Sequence, residues 1–447
     1  MTGAALLDRL APAGAVDAAG PGALAARAWL ATHGLPDPKD EAWRYTPVDQ
    51  IVARLHEVVG AAVLDGGRDD DVDLATVDAL AGDHGGPRLV FVDGLYRPRL
   101  SGPGLVAAGV WCGNLADLPD RRAAQGAALP PPDELARFDG FEALNRAAGP
   151  DAAVVLVDAG VVAGAPVHVV HLATGHPHAA VGHPRTVVKV AEAAEVTVVE
   201  TFAGIAPADA PARSRSADDA APTGPVTNAA TTIVIGPGAR VTHHRVQAEA
   251  AGAVHVGHTR VVQAAGSHLR SVSVMAGAAV ARHALDVGLH GPGARADLDG
   301  LYVPSGHQRH DTVVTVDHAA SDCTSTQRFR GVIDDEARGS FGGHVIVRAG
   351  TTGTDADQSN RNLVLTRSAQ ADTRPWLEIL ADDVRCTHGA TVGRLDDDAL
   401  FYLRSRGIPH DEARAMLVRA FVDEIVATIE PASLRAVVSA LTPGGAS

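Results

Sequence analysis

From Ala152 to roughly Leu380, apolar and polar residues alternate with a period of two. Examples are Thr186-Val187-Val188-Lys189-Val190, Val196-Thr197-Val198-Val199-Glu200, Thr232-Ile233-Val234-Ile235 and Leu363-Val364-Leu365. Such alternation puts every second side chain on one face, as in a half-buried strand. The runs are short and bounded by Gly/Pro corners, one of which is repeated word for word: Gly236-Pro237-Gly238-Ala239-Arg240 and Gly291-Pro292-Gly293-Ala294-Arg295. A related corner, Ala265-Gly266-Ser267-His268-Leu269-Arg270, lies between them, so the three arginines are spaced by 30 and 25 residues. Repetition at about the length of a coil of short strands points to a stacked solenoid, most simply a β-helix. A jelly-roll sandwich is the competing all-β architecture.

The pattern turns helical on either side. A helix is expected from Pro21 through Leu30, closed by Gly34, and a second over Val48–Val59. Ala61–Gly86 reads as a solvated link, Leu89–Tyr96 as a hairpin about Asp93-Gly94, and Asp133–Ala147 as a further helix. After Val384 the period again becomes helical. Asp396-Asp397-Asp398 caps one helix, which Gly407 and Pro409 end, and another starts near His410-Asp411. The latter carries the apolar set Ala413, Met416, Leu417, Ala420, Phe421 and Ile425, and Pro431 separates it from a final helix ending near Leu441. The chain therefore divides into a helical region with a short hairpin (1–150), a β-helix core (151–381) and a C-terminal helical region (382–447). Ala203–Pro225, rich in Ala, Pro, Asp and Ser, reads as a disordered excursion from a coil corner.

Composition supports this division. Hydrophobic residues are 46% of the 447 but aromatics only 4%, so Val, Leu, Ala and Ile must fill the core; 47 glycines and 27 prolines supply corners. A formal charge of −15 argues against a nucleic-acid partner. Lys39 and Lys189 are the only lysines, and neither sits in a P-loop, so the chain lacks that route to ATP hydrolysis. Cys112, Cys323 and Cys386 are few and far apart, which fits a reducing cytoplasm. The opening residues meet Asp8 before any long apolar run, and Ala152–Gly175 is interrupted by Asp158, Pro166, His168 and His171. Neither a secretory signal nor a membrane span is expected.

Candidate chemistry is abundant but scattered. There are 21 histidines. His243-His244 with Glu249 is similar to the ligand set of cupin-type metalloenzymes, but adjacent strand residues point to opposite faces, so at most one of the pair can serve. His255 and His258 meet the same difficulty, and His168, His171, His176, His178 and His183 read as solvated or hydrogen-bonded surface groups. Gly291–Ala296 matches G-x-G-x-x-A without a following helix, which leaves no dinucleotide site. Asp334-Asp335-Glu336 and Asp382-Asp383 could serve a β-helix polysaccharide enzyme, but four Trp and four Tyr leave little for a sugar groove. One pair stands out: Cys386 and His388, two residues apart, would face the same side of an extended segment.

The stretch Asp382-Asp383-Val384-Arg385-Cys386-Thr387-His388-Gly389-Ala390-Thr391-Val392-Gly393, running into Leu400-Phe401-Tyr402-Leu403-Arg404-Ser405-Arg406-Gly407-Ile408, resembles the C-terminal signature of the SufB/SufD family. These are scaffold proteins of the SUF iron–sulfur cluster assembly system. Supporting matches are Glu41-Ala42-Trp43-Arg44-Tyr45-Thr46, Phe141-Glu142-Ala143-Leu144-Asn145, His183-Pro184-Arg185, Asn228-Ala229, Ser325–Gly331 and Asn360-Arg361-Asn362-Leu363. Cys386-Thr387-His388-Gly389-Ala390-Thr391 is nearer the SufD branch than the SufB branch, where Glu-His-Glu-Ala-Thr-Thr is expected; a SufB-type scaffold is the alternative. Phe329-Arg330-Gly331 departs from the family's usual Tyr-Lys-Gly, Cys323 is an unusual addition, and the 203–225 segment is long.

The resemblance implies a right-handed parallel β-helix flanked by helical regions. It implies a scaffold that is not itself an enzyme, paired with a SufB-like scaffold and docking a SufC-like ABC-type ATPase through its C-terminal helices. A transient iron–sulfur cluster would be shared with the partner scaffold, with His388 as the residue offered to it and Cys386 as a lesser candidate. Neutral imidazole and thiolate both ligate iron, and a scaffold must release what it builds. Asp396, Leu400, Phe401, Tyr402, Arg404, Arg406 and Phe421 are the docking residues this reading selects.

Overall fold

The structure is a computed structural model that describes residues 21–61, 72–102, 107–119, 139–149, 151–175, 181–205 and 222–443. Most of these residues coil into a parallel β-solenoid of about 7 turns. Successive strands alternate between two 10-stranded sheets. The first sheet runs from Leu95–Tyr96 and Arg88–Val92 through Val167–Ala173, Glu195–Gly204, Arg240–Ala248, His268–Met275, Arg295–Tyr302, Thr324–Ile333 and Thr354–Val364 to Val384–Gly393. The second runs from Val110–Asn114 through Ala153–Val157, Arg185–Val190, Val226–Ile235, Val254–Gln263, Val280–Leu289, Arg309–His318 and Arg338–Val347 to Gln370–Ile379.

The repeated corner has a steric cause. Gly238 and Gly293 turn the chain at φ 64° and 71°, where a Cβ is strained. Ala239, Ser267, Ala294 and Cys323 are each fully buried one residue before a strand begins. Cys323 is thus a corner residue, its Sγ 3.4 Å from the Gly291 carbonyl. The strand register aligns Arg240 with His268 and His268 with Arg295. His268, not Arg270, is therefore the equivalent of the two arginines, and the coil repeat is more even than their spacing suggested.

The expected hairpin is present, with Phe91 opposite Tyr96 and a left-handed Asp93-Gly94 turn. It is not a separate N-terminal element, because Arg88–Val92 also pairs in parallel with Val167–Ala173 and forms part of the solenoid. α1 (Pro21–His33) ends at Gly34, which has φ 74° and bonds back to the Leu30 carbonyl. α2 spans Val48–Ala61. The supposed solvated link contains α3 (Leu74–Ala81), capped by Asp73 and anchored by buried Val77. α4 (Gly140–Ala148) is capped by Asp139; residues 133–138 of the expected helix lie outside the described residues. So does most of the 203–225 excursion, since Ala203 and Gly204 finish a strand and 206–221 are not described.

Helices cover both outer faces. Leu30 of α1, Ile51 and Leu55 of α2, Trp43, and Phe141 and Leu144 of α4 close over Val226, Val254, Val256 and Val280 of the second sheet. At the other end lie α5 (Asp397–Ser405), α6 (His410–Val426) and α7 (Ala432–Leu441). α6 and α7 press Val418, Val422, Ile425, Leu434 and Val438 onto Val246, Val272, Val274, Leu301 and Val332 of the first sheet. The buried stripe of α6 differs from the periodic set expected. Ala413, Val418, Val422 and Ile425 face the sheet while Met416 is 45% exposed. The helix is apolar on more than one side, and the sheet selects the stripe. Among the described residues, no helix is long and apolar enough to cross a membrane.

This register makes a direct prediction. Ile425→Ala should cost about 2–5 kcal/mol in chemical denaturation, because it opens a cavity over the first sheet. Met416→Ala should change stability by about 0.5 kcal/mol or less. Equal costs would mean that α6 presents the other stripe.

Candidate functional site

Cys386 and His388 lie on a strand, as the two-residue spacing required, and it is the terminal strand of the first sheet. Val384–Gly393 therefore belongs to the solenoid, not to the helical region assigned to residues after 381. The segment mixes Cys, Thr, His and Gly with few apolar residues, so its alternation is weak; pairing with Thr354–Val364 holds it extended. Cys386 stands over Ala356, His388 over Gln358, Ala390 over Asn360 and Val392 over Asn362. Those four partners are all buried and line the lumen. Cys386, His388, Ala390 and Val392 consequently occupy lumen-facing positions, but no later coil covers them. Cys386 is half-buried against Val345, Val347 and Ala356, whereas His388 is exposed. Burial and nearby Asp355 push the Cys386 thiol above its ordinary value, which keeps it a thiol and a poor ligand near neutral pH.

The two ends of the solenoid differ. At the N-terminal end the first sheet finishes in the two-residue strand Leu95–Tyr96, a blunt edge. At the C-terminal end both sheets finish in 10-residue strands, Gln370–Ile379 and Val384–Gly393, each paired on one side only. Long one-sided strands leave a row of backbone donors and acceptors to be met.

Beneath His388 the lumen is polar over much of its length, which sequence reading did not reveal. Gln358 donates to Gln327 at 2.9 Å, and Asn360 donates to the Tyr302 hydroxyl at 3.1 Å. Further in, Glu200 accepts from Thr231 at 2.9 Å and from His243 at 2.8 Å. Burial opposes ionisation of Glu200, but His243, His171 and Thr186 outweigh it and bring the carboxyl to about 2. Arg245 donates to Nε2 of His255, so the ring's proton sits on Nδ1 and goes to Glu249 at 2.7 Å.

The opposite-face argument for the histidines holds. His243 turns inward to Glu200 while His244 packs outward, and His255 turns inward while His258 meets Asp286 at 2.8 Å outside. His168, His171 and His183 are buried, not surface groups: His171 stacks on Phe202 in the lumen, the His84 ring covers His168, and His183 meets Asn228 at the joint with α4; His176 and His178 lie outside the described residues. Among the described residues, no group of three or more His, Cys, Asp or Glu is arranged to hold a metal, so the cupin reading lacks its site. Asp334 and Asp335 belong to a turn, with Asp335 at φ 54° and Asp334 3.3 Å from Arg414.

The docking residues fall into two settings. Asp396 caps α5, accepting from the Asp398 and Ala399 amides at 2.9 and 3.3 Å. Leu400 is half-buried, Phe401 and Tyr402 are 72% and 57% exposed, and Arg404 and Arg406 are exposed. Arg406 lies over the Tyr402 ring at 5.1 Å. A groove of about 460 Å³ runs between Phe401, Arg404 and the Gly407-Ile408-Pro409 corner. Phe421 is different, turned toward the body and 5.8 Å under Arg330.

The dispersed motifs interlock. Asn145 of α4 donates to the Pro184 and Asn228 carbonyls at 2.9 and 2.7 Å, and Asn228 donates to the Phe141 carbonyl at 2.8 Å. Phe141–Asn145, His183–Arg185 and Asn228-Ala229 thus form one joint between helix and sheet.

A capped parallel solenoid does not by itself assign a function. Residues 171–421 match the family described as "SUF system FeS cluster assembly, SufBD core domain". The chain is 32% identical over 424 residues to the iron–sulfur cluster assembly protein SufD of Escherichia coli, covering 93% of this chain and 92% of that protein. It is 30% identical over 415 residues to the SufBD family protein slr0076 of Synechocystis, covering 91% and 86%. It is 27% identical over 403 residues to the chloroplastic protein ABCI7 of Arabidopsis thaliana, covering 88% and 78%. The chain belongs to the SufBD family of the SUF system.

The buried histidines predict acid lability. Burial lowers His171, His183, His310 and His318 from 6.5 to about 4. The unfolded chain then binds more protons than the folded one between these values, so their contribution is complete above pH 6.5 and lost as pH falls toward 4. His258 runs the other way: burial disfavours its charge, but Glu142 and Asp286 prevail and raise it to about 9. The urea midpoint should fall steadily through the window from 6.5 to 4, and a flat midpoint there would contradict neutral burial of these rings.

Proposed function

We propose that this chain is a non-catalytic, SufD-type scaffold for iron–sulfur cluster assembly in the cytoplasm. It pairs with a SufB-like scaffold, docks a SufC-like ABC-type ATPase, and offers His388 to a transient cluster shared with the partner. The cluster is cargo, built and passed on, and the ATPase activity belongs to the docked subunit.

The observation that carries this reading is the open terminal coil. His388 sits at a lumen-facing position on a long, one-sided edge strand. A second solenoid continuing the sheets would satisfy that edge and bring a partner's ligands over His388. In such an enclosure imidazole is a labile iron ligand, suited to release. The raised thiol of Cys386, packed against Val345 and Val347, favours a packing role for it. Two features support ATPase docking through α5 and its corner: the exposed Phe401 and Tyr402, and the attachment of α6 and α7 to the first sheet, which gives α5 a firm base.

His388→Ala should preserve the fold and the scaffold pair but strongly impair cluster formation with both partners. Cys at 388 should retain part of the activity and Asn should not. Full activity with Asn would mean that the imidazole serves only as a hydrogen-bonding group. Phe401→Ala should leave thermal stability unchanged yet weaken ATPase binding by about thirtyfold, as loss of a buried aromatic anchor does. Unaltered affinity would move the dock elsewhere.

A further inference from the structure

The segment Glu41–Thr46 has two halves with different jobs. Trp43 and Thr46 are buried and pin the segment to the second sheet. Arg282 lies 4.1 Å over the Trp43 ring, donates to the Ala42 carbonyl at 2.9 Å and to Thr46 at 3.2 Å, and pairs with buried Asp311. Arg44 and Tyr45 take no part in that anchor. They line a cavity of about 330 Å³ whose other wall carries Arg309, Arg338 and Ser340.

Arg309 and Arg338 are direct register partners on adjacent parallel strands, so two guanidinium groups leave the sheet side by side. Elsewhere the solenoid neutralises its arginines across or along strands, as in Arg328 with Asp299 and Arg348 with Asp317, both near 2.8 Å. Among the described residues, the side chains of Arg309 and Arg338 make no ion pair or hydrogen bond. Burial and the neighbouring Arg338 both disfavour the charge on Arg309, and Asp49 only partly offsets them. The third cation, Arg44, shares Glu41 with Arg374 and lies 3.6 Å from it. Three arginines around one cavity, two of them unpaired, favour a bound anion. The planar fork of arginine matches a tetrahedral oxyanion.

We propose that this cavity binds free hydrogen phosphate through Arg44, Arg309 and Arg338. Its volume falls at the low end of small-ligand sites, about 300–1,000 Å³. Asp49 and Asp372 also line it. Carboxylates only accept hydrogen bonds, so they select an oxyanion that still carries a proton. Hydrogen phosphate does so at neutral pH and sulfate does not. Because Asp372 belongs to the terminal strand Gln370–Ile379, an occupied cavity also links the N-terminal segment to the open end of the second sheet.

The test is calorimetric titration of the full chain with inorganic phosphate, sulfate and glycerol 2-phosphate at matched ionic strength, repeated on the double variant Arg309→Gln/Arg338→Gln. Phosphate should bind saturably with Kd of about 1 mM or tighter, and at least about tenfold more weakly to the double variant. Thermal unfolding of the unliganded variant should be undiminished, since loss of the Arg309–Arg338 repulsion offsets the lost attraction between Arg309 and Asp49. Weaker binding of glycerol 2-phosphate, whose dianion carries no proton on phosphate, supports selection of hydrogen phosphate by Asp49 and Asp372; equal or tighter binding would overturn it. Equal affinity for sulfate would overturn the assignment to phosphate. Absence of saturable phosphate binding, or unchanged binding in the double variant, would overturn the site itself.

Discussion

In-register parallel stacking is the constraint on which the rest of the molecule depends. Arg240, His268, Arg295 and Thr324 lie one above another at the start of successive strands of the first sheet. Each coil thereby satisfies the backbone of the coil before it and exposes its own to the next. Corners must stack as closely as strands, and a Cβ on Gly291 would collide with the backbone of Ala265. The same stacking creates the open end, because a stack of parallel coils has no means of closing on itself. Its last turn presents both a lumen face and two free edges.

The column beneath that open face is polar along the first sheet, where Gln358, Asn360 and Asn362 underlie His388, Ala390 and Val392. The terminal coil itself leaves Ile379, Leu380 and Val392 exposed. Buried amides and carboxylates must be paired, and they are paired with each other across coils: Gln358 to Gln327, Thr231 and His243 to Glu200, His255 to Glu249. Such pairing ties coil spacing to side-chain geometry as well as to the backbone ladder. Burial, not this pairing, holds His171, His310 and His318 neutral.

The helices perform two tasks that their sequence periodicity did not separate. α1, α2 and α4 seal the second sheet, and α6 and α7 seal the first. α5 seals nothing and leaves Phe401 and Tyr402 in solvent. This solvated aromatic pair, on a helix held by a rigid neighbour, is the feature on which the proposed ATPase dock rests. The joint made by Asn145, Pro184 and Asn228 shows a contrasting use of distinctive residues. There the motif marks a hydrogen-bonded contact between helix and sheet, not chemistry.

Local chemistry was legible in the chain. Alternation announced the strands, Gly-Pro-Gly-Ala announced the corners, and Asp93-Gly94, Gly34 and Asp396 marked a turn, a helix end and a cap, because each of these depends on residues within a few positions. The opposite facing of His243 and His244 followed from the same local geometry. Other features were decided by long-range pairing. Val384–Gly393 is weakly alternating and becomes a strand only because Thr354–Val364 is there to receive it. The buried stripe of α6 was chosen by the first sheet, the alignment of His268 with Arg240 by coil register, the depth of His171 by coils that enclose it, and that of His183 by the joint with α4. The pairing of Arg309 with Arg338 is equally invisible in one dimension, since 29 residues of chain separate two groups that stacking makes neighbours. Local sequence determined which elements could form and which way their side chains alternate. Only the stacked coils decided which faces are lumen, which edges stay open and which distant charges must share a cavity.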